Sequence, residues 1–201
     1  MKIIITSIIT LLCFKVNAQY TSIQNLDSPD NFPQSGVYYK DLNSVLDPFV
    51  GTWRYSSGNN EFEIVLEKKL ESSQNGYYYR DMLIGSYRYV VNGIEKVNVL
   101  NTHDLSILNG DSNPIRAYVI ITGNSRGCDE CDSNEKWIIG AIKDPVSQTF
   151  NDLFIRNIIH NGQDAIKITI HYGGPRTRMD GELESTPVSF PAGAEYILIK
   201  Q

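Results

Sequence analysis

The sequence predicts an all-β fold, a single antiparallel up-and-down barrel of about 8–10 strands with a short N-terminal helix. Three observations predict it. From Thr52 onward apolar residues recur at every second position; in the run 61–70, Phe62, Ile64, Leu66 and Leu70 alternate with Glu61, Glu63, Glu67 and Lys69. Alternation with one polar face is the pattern of a half-buried antiparallel strand. The runs are joined mostly by short polar turns, which excludes a parallel sheet because parallel neighbours need long crossovers. Only residues 38–46 carry helical spacing. A barrel and a sandwich both satisfy these facts. Hairpin-length links, and the closure that removes sheet edges, favour the barrel.

Residues 1–18 read as an export signal. Met1 and Lys2 give a basic start, residues 3–14 are mostly apolar, and Val16-Asn17-Ala18 sets small residues for cleavage after Ala18. The apolar stretch is too short to span a bilayer, and no longer one follows it. Leu12 before Cys13 argues against lipidation, which needs a small residue there. Cleavage leaves 183 of the 201 residues and, with Lys2 and Lys15 gone, takes the formal charge from −5 to −7. An acidic exported domain is a poor partner for nucleic acid or anionic membrane surfaces. With 41% hydrophobic residues the chain can bury one full core and is too apolar for disorder.

The elements follow in order. Residues 19–37 are polar, contain Pro29 and Pro33, and are expected to form a flexible arm, with the barrel domain over 38–201. In the expected helix at 38–46, Asp41 is the N-cap, Leu42, Val45 and Leu46 share a face, and Pro48 stops it. Strands are expected at 52–56, 61–70, 76–84, 87–91, 94–100, 115–122, 136–143, 149–159, 165–172 and 194–200. Ser57-Gly58-Asn59-Asn60 makes the first turn. Asn92-Gly93 marks a hairpin, because a type I′ turn needs positive φ at both positions. Longer loops interrupt at 101–114, 123–135 and 173–193.

Before the first strand, the run Asp47-Pro48-Phe49-Val50-Gly51-Thr52-Trp53 resembles the opening of lipocalin-like (calycin) barrels. The resemblance implies that Gly51 and Trp53 are structural, with the indole plugging the closed end of the barrel. It also implies a late basic residue packed over the indole, for which Arg156 and Lys200 are both available. The chain further resembles an uncharacterised family of small secreted Bacteroidetes proteins. The matching stretches are Asn17-Ala18-Gln19, 49–53, and Tyr79-Arg80-Asp81-Met82-Leu83-Ile84-Gly85 followed by Tyr87.

The candidate chemistry is sparse. Cys128-Asp129-Glu130-Cys131 is a Cys-x-x-Cys in a loop. Its acidic neighbours disfavour the thiolate that redox work requires. A zinc site needs four ligands, and no other Cys or His lies within twenty residues of the pair. A disulfide that tightens the loop is the expected state. His103, His160 and His171 show no metal spacing and are expected at the surface. No Gly-x-Ser-x-Gly marks a serine nucleophile, and no two carboxylates stand out. The acidic stretches 109–113 and 129–132 do not fit a calcium loop. No catalytic residue, metal or cofactor is therefore expected.

Tyr77, Tyr78, Tyr79, Tyr87, Tyr89 and Tyr118, with Trp137, concentrate rings on neighbouring strands. Core packing is one use for them. An aromatic-lined cup is the other, built from Tyr79, Tyr87, Tyr89 and Trp137 with Arg80 or Arg116 as a polar anchor. Alternation puts Tyr79 and Arg80 on opposite faces, and the sequence does not say which face is interior. The expected function is that of an exported, monomeric, non-catalytic protein holding a small apolar or amphipathic ligand in the barrel mouth. The alternative is an interaction or inhibitor module that contacts a protein partner through its long loops.

Overall fold

The computed structural model describes residues 20–28, 33–124, 128, 130–171, 189–191 and 193–201. The expected export signal, 1–18, lies outside them. The strands among the described residues are β1 (Ser22–Asn25), β2 (Val37–Lys40), β3 (Gly51–Ser57), β4 (Asn60–Gln74), β5 (Tyr78–Val91), β6 (Ile94–Asn98), β7 (Ile115–Thr122), β8 (Lys136–Asp144), β9 (Thr149–His160), β10 (Gln163–His171) and β11 (Ala194–Lys200). Eight of them close on themselves in the order β3-β4-β5-β7-β8-β9-β10-β11, with β11 returning to β3. Every wall pairing is antiparallel. The fold is the expected up-and-down barrel.

β5 organises the rest. Along one edge it pairs with β4 almost throughout. Along the other it meets β2 at Tyr79 and Arg80, β7 at residues 83–85, and β6 at residues 88–91. The sequence suggested two strands broken near Gly85; the chain instead runs through as one. A Cβ on Gly85 would lie 2.2 Å from Val65 O, so only glycine lets β4 approach here. The β5–β6 hairpin turns as expected, with φ of 53° at Asn92 and 75° at Gly93.

Two N-terminal expectations are corrected. The arm is not free of structure, because β1 pairs in parallel with β2, and β2 pairs in parallel with β5. Tyr20 stacks 4.9 Å from both Tyr38 and Tyr79, and Leu26 is buried. Nor does a helix form at 38–46. The Asp41 carboxylate accepts the amides of Val45 (2.7 Å) and Leu46 (3.1 Å), which fixes a turn, and Tyr38 donates to Asp81 at 2.6 Å. Pro48 falls inside a single 3-10 turn, Asp47–Phe49, rather than ending a helix. Side-chain capping and sheet pairing together outcompete nine residues of marginal helical spacing.

The inner face carries one continuous core that includes Trp53, Phe62, Leu83, Tyr87, Ile138 and Leu198. The outer face carries ion pairs such as Arg54–Glu61 and Arg88–Glu95, the reverse of a barrel that faces lipid. No helix among the described residues is long and apolar enough to cross a membrane.

Candidate functional site

One end of the barrel is closed. Gly51 (φ +139°) brings β3 in beside β11, and the Trp53 indole N–H donates to Phe49 O at 2.8 Å. Lys200 pairs with Trp53 across the two strands and holds its ammonium 5.2 Å from the ring centre. Of the two basic residues that the lipocalin-like opening left available, Lys200 is the one over the indole. Arg156 lies on the outer wall, paired with Glu135 and Glu130.

The other end is an aromatic mouth. Tyr87 and Tyr89 on β5, Phe62 on β4, Tyr55 on β3 and Tyr196 on β11 converge there. Phe62 lies 5.1–6.0 Å from the rings of Tyr87, Tyr89 and Tyr196. Phe190 occupies the centre, 4.8 Å from Tyr89, 5.5 Å from Tyr87 and 5.6 Å from Phe62. It comes from outside the wall. The neighbouring Ser189 donates its amide (2.5 Å) and hydroxyl (3.1 Å) to the buried Asp144 carboxylate at the end of β8.

Three of the phenol groups are hydrogen-bonded. Tyr87 donates to Lys143 O at 2.6 Å, and the Tyr89 and Tyr196 hydroxyls bond each other at 2.8 Å. Burial pushes the Tyr87 phenol well above its usual range. Burial, then the bond to Tyr89, does the same for Tyr196.

The wall beside this cluster is parted. β3 and β11 share two register pairs, Ile199–Arg54 and Lys200–Trp53, continued by the Gln201 amide on Thr52 O. Above Arg54 the strands separate, and Tyr55 and Tyr196 stand edge to face across the gap at 5.2 Å. A groove of about 580 Å³ runs along this seam, lined by Arg54, Tyr55, Ser56, Tyr196 and Ile197 among others. Two rings of the mouth are thus also part of an outer groove.

The structure does not assemble the expected cup as one constellation. Tyr87 and Tyr89 face inward. Tyr79 shares their parity but lies at the far end of β5, edge to face with Tyr20. Arg80, Arg116 and Trp137 are on the outer face, so neither arginine anchors the mouth. Arg80 is nevertheless buried, its guanidinium 3.0 Å from the Tyr118 ring centre and 3.5 Å from Asp111. Arg116 sits over Phe150 at 4.4 Å and donates to Asp111 O. Trp137 is covered by Cys128 and Cys131, its indole N–H donating to Gly123 O at 3.0 Å. Cys128 and Cys131 form the expected disulfide, packed with Trp137 into a small separate core.

One constellation has no sequence signature. Ser86 Oγ lies 2.8 Å from His103 Nδ1, and His103 Nε2 lies 3.3 Å from Glu67 Oε1. His103 is therefore half-buried rather than superficial, with its side chain 8% exposed. The Asn101 amide donates to Ser86 Oγ at 3.0 Å, and which of Ser86 Oγ and His103 Nδ1 donates to the other follows the imidazole tautomer. The order is that of a Ser-His-acid relay. Ser86 is fully buried beneath the 101–114 loop, however, and the geometry is that of a clamp holding this loop on β5. Among the described residues no group of three or more His, Cys, Asp or Glu could hold a metal ion.

No curated protein and no solved structure matches this chain. A family model matches it from end to end, residues 1–201, and the chain belongs to that family, the family of unknown function DUF6705.

Proposed function

We propose that this protein is an exported, non-catalytic binding protein that holds a small, partly apolar ligand in the aromatic mouth. The reading rests on one observation: Tyr55 and Tyr196 belong both to the ring cluster around Phe190 and to the open groove along the β3–β11 seam. A ligand reaching the cluster meets ring edges and faces in a site that already accommodates the ring of Phe190, with hydroxyls of Tyr89 and Tyr196 able to turn toward a polar group. The disulfide suits an oxidising compartment, as export of residues 19–201 would provide.

The neutral probe N-phenyl-1-naphthylamine tests this reading. It should bind at one saturable site and weaken by about tenfold in Tyr55→Ala or Tyr196→Ala, the loss of one ring contact at about 1.4 kcal/mol. Absence of saturable binding to the native chain would contradict it.

A second reading, docking to a protein partner, is favoured by the 101–114 loop. Leu105, Ile107 and Leu108 on this loop are all exposed, Leu108 at 77%. Three apolar side chains so close together on one loop are a feature of contact surfaces.

A further inference from the structure

On the outer face of the wall, β8, β9 and β10 hold a cleft of about 270 Å³. Its floor is a file of rings: Trp137 lies 5.6 Å from Phe154, and Phe154 lies 4.8 Å from His171, edge to face. Two cations flank the floor. Arg156 is fixed from one side by Glu135, whose oxygens accept Nε at 2.8 Å and Nη2 at 3.0 Å. That bidentate grip leaves Nη1 directed at the cleft. Lys167, on the neighbouring strand in register with Arg156, points to the same place. Both cations converge on one atom, Glu130 Oε1, which accepts from Lys167 at 2.8 Å and from Arg156.

Glu130 differs from the groups it meets. It belongs to the disulfide loop rather than the wall, and its side chain is 60% exposed. Arg156 and Lys167 are 15% and 21% exposed. The cations are built in, while the carboxylate is laid over them. An exposed carboxylate on such a pair is held weakly, because solvent offers it nearly as much. The Lys167 ammonium and the Arg156 guanidinium keep the Glu130 carboxyl below its usual range, so it is ionised at neutral pH.

We propose that this cleft is a binding site for small aromatic carboxylates, in which Glu130 stands where the ligand's carboxylate binds. The ligand's ring lies along Phe154 and His171, and its carboxylate takes the place of Glu130 Oε1 between Arg156 and Lys167. The cleft's size limits the occupant to one ring with a short acidic arm. Glu195, 3.4 Å from Lys167, closes the far side and disfavours a second negative charge. The cleft shares Lys167 and Glu195 with the β3–β11 groove, while its rings, Arg156 and Glu130 lie outside that groove.

Phenylacetate, benzyl alcohol and acetate, titrated into the full ¹⁵N-labelled chain, test the proposal. Phenylacetate should give saturable shifts of the Trp137 indole N–H and of the Phe154, Arg156 and His171 amides, leaving Tyr87 and Tyr89 unmoved. Benzyl alcohol and acetate, each lacking one half of the recognition, should bind at least about tenfold more weakly. Glu130→Gln should tighten phenylacetate binding several-fold by removing the internal competitor. Lys167→Gln should weaken it by a similar factor, its spectrum confirming the fold. No saturable shift up to about 10 mM, equal binding of benzyl alcohol, or an unchanged affinity in Glu130→Gln would each overturn it. Shifts confined to Tyr87 and Tyr89 would place the ligand in the mouth and overturn the wall site alone.

Discussion

Lys200 and Trp53 lie opposite each other on β11 and β3, with the ammonium 5.2 Å from the centre of the indole it covers. They lie where the last strand meets the first strand of the barrel wall, so the contact reports barrel closure. Trp53 is fully buried, and its truncation to alanine should cost about 3–5 kcal/mol, near the limit of what such a domain tolerates. Lys200 is exposed, and Lys200→Ala should cost only about 0.5–1 kcal/mol. Urea denaturation measures both. Equal losses would mean that the ammonium does more than cover the ring.

Ser86 should be unreactive. Its relay to His103 and Glu67 is closed under the 101–114 loop, so a fluorophosphonate probe should leave the native chain unlabelled. Ser86→Ala should instead raise amide exchange at Asn101 and its neighbours, because the loop loses its clamp. Labelling of Ser86 would contradict the non-catalytic reading.

The buried phenols give a pH signature. Burial first, and then neighbouring hydrogen bonds and negative charge where present, raises Tyr20, Tyr38, Tyr87 and Tyr196 above the usual tyrosine range. A group with a raised folded pKa stabilises the fold below its unfolded value, near 10, and that contribution is lost as pH rises above it. In an alkaline absorbance titration these four tyrosines should ionise only together with unfolding. Reversible titration of all twelve near pH 10, with the fold intact, would contradict the packed mouth.

The disulfide is local. A four-residue loop gains at most about 2 kcal/mol from closure on the chain-entropy model. Cys128→Ser with Cys131→Ser should therefore leave a folded barrel, with the change concentrated at Trp137. Its indole N–H signal should move while that of Trp53 stays in place. Global unfolding at 25 °C would show that the loop supports more than its own wall.

Alternation made most of the wall legible, since β3, β4 and β8 to β11 each have a strand-length pattern of their own. The Gly51-Thr52-Trp53 opening and the Cys128–Cys131 pair were legible as short motifs. The interior of the mouth was not, and β5 shows why. Residues 80–87 are buried without a break, because the 101–114 loop covers the outer face that solvent would otherwise mark. With no polar face, alternation carries no sign of inside or outside, and Arg80 could be placed on either. Trp137 was hidden in the same way by the disulfide loop. Ser189, beside Phe190, and Ser86 depend on contacts across 45 and 17 residues, for which no local pattern exists. β1 and β2 are four residues each, too short to show a period.

Native mass spectrometry of the chain recovered from the periplasm or medium of its own host tests the binding account most directly. One small molecule per chain, released on unfolding and retained less by Tyr196→Ala, is the expected result. A chain recovered bare, or only with a protein partner, would contradict it.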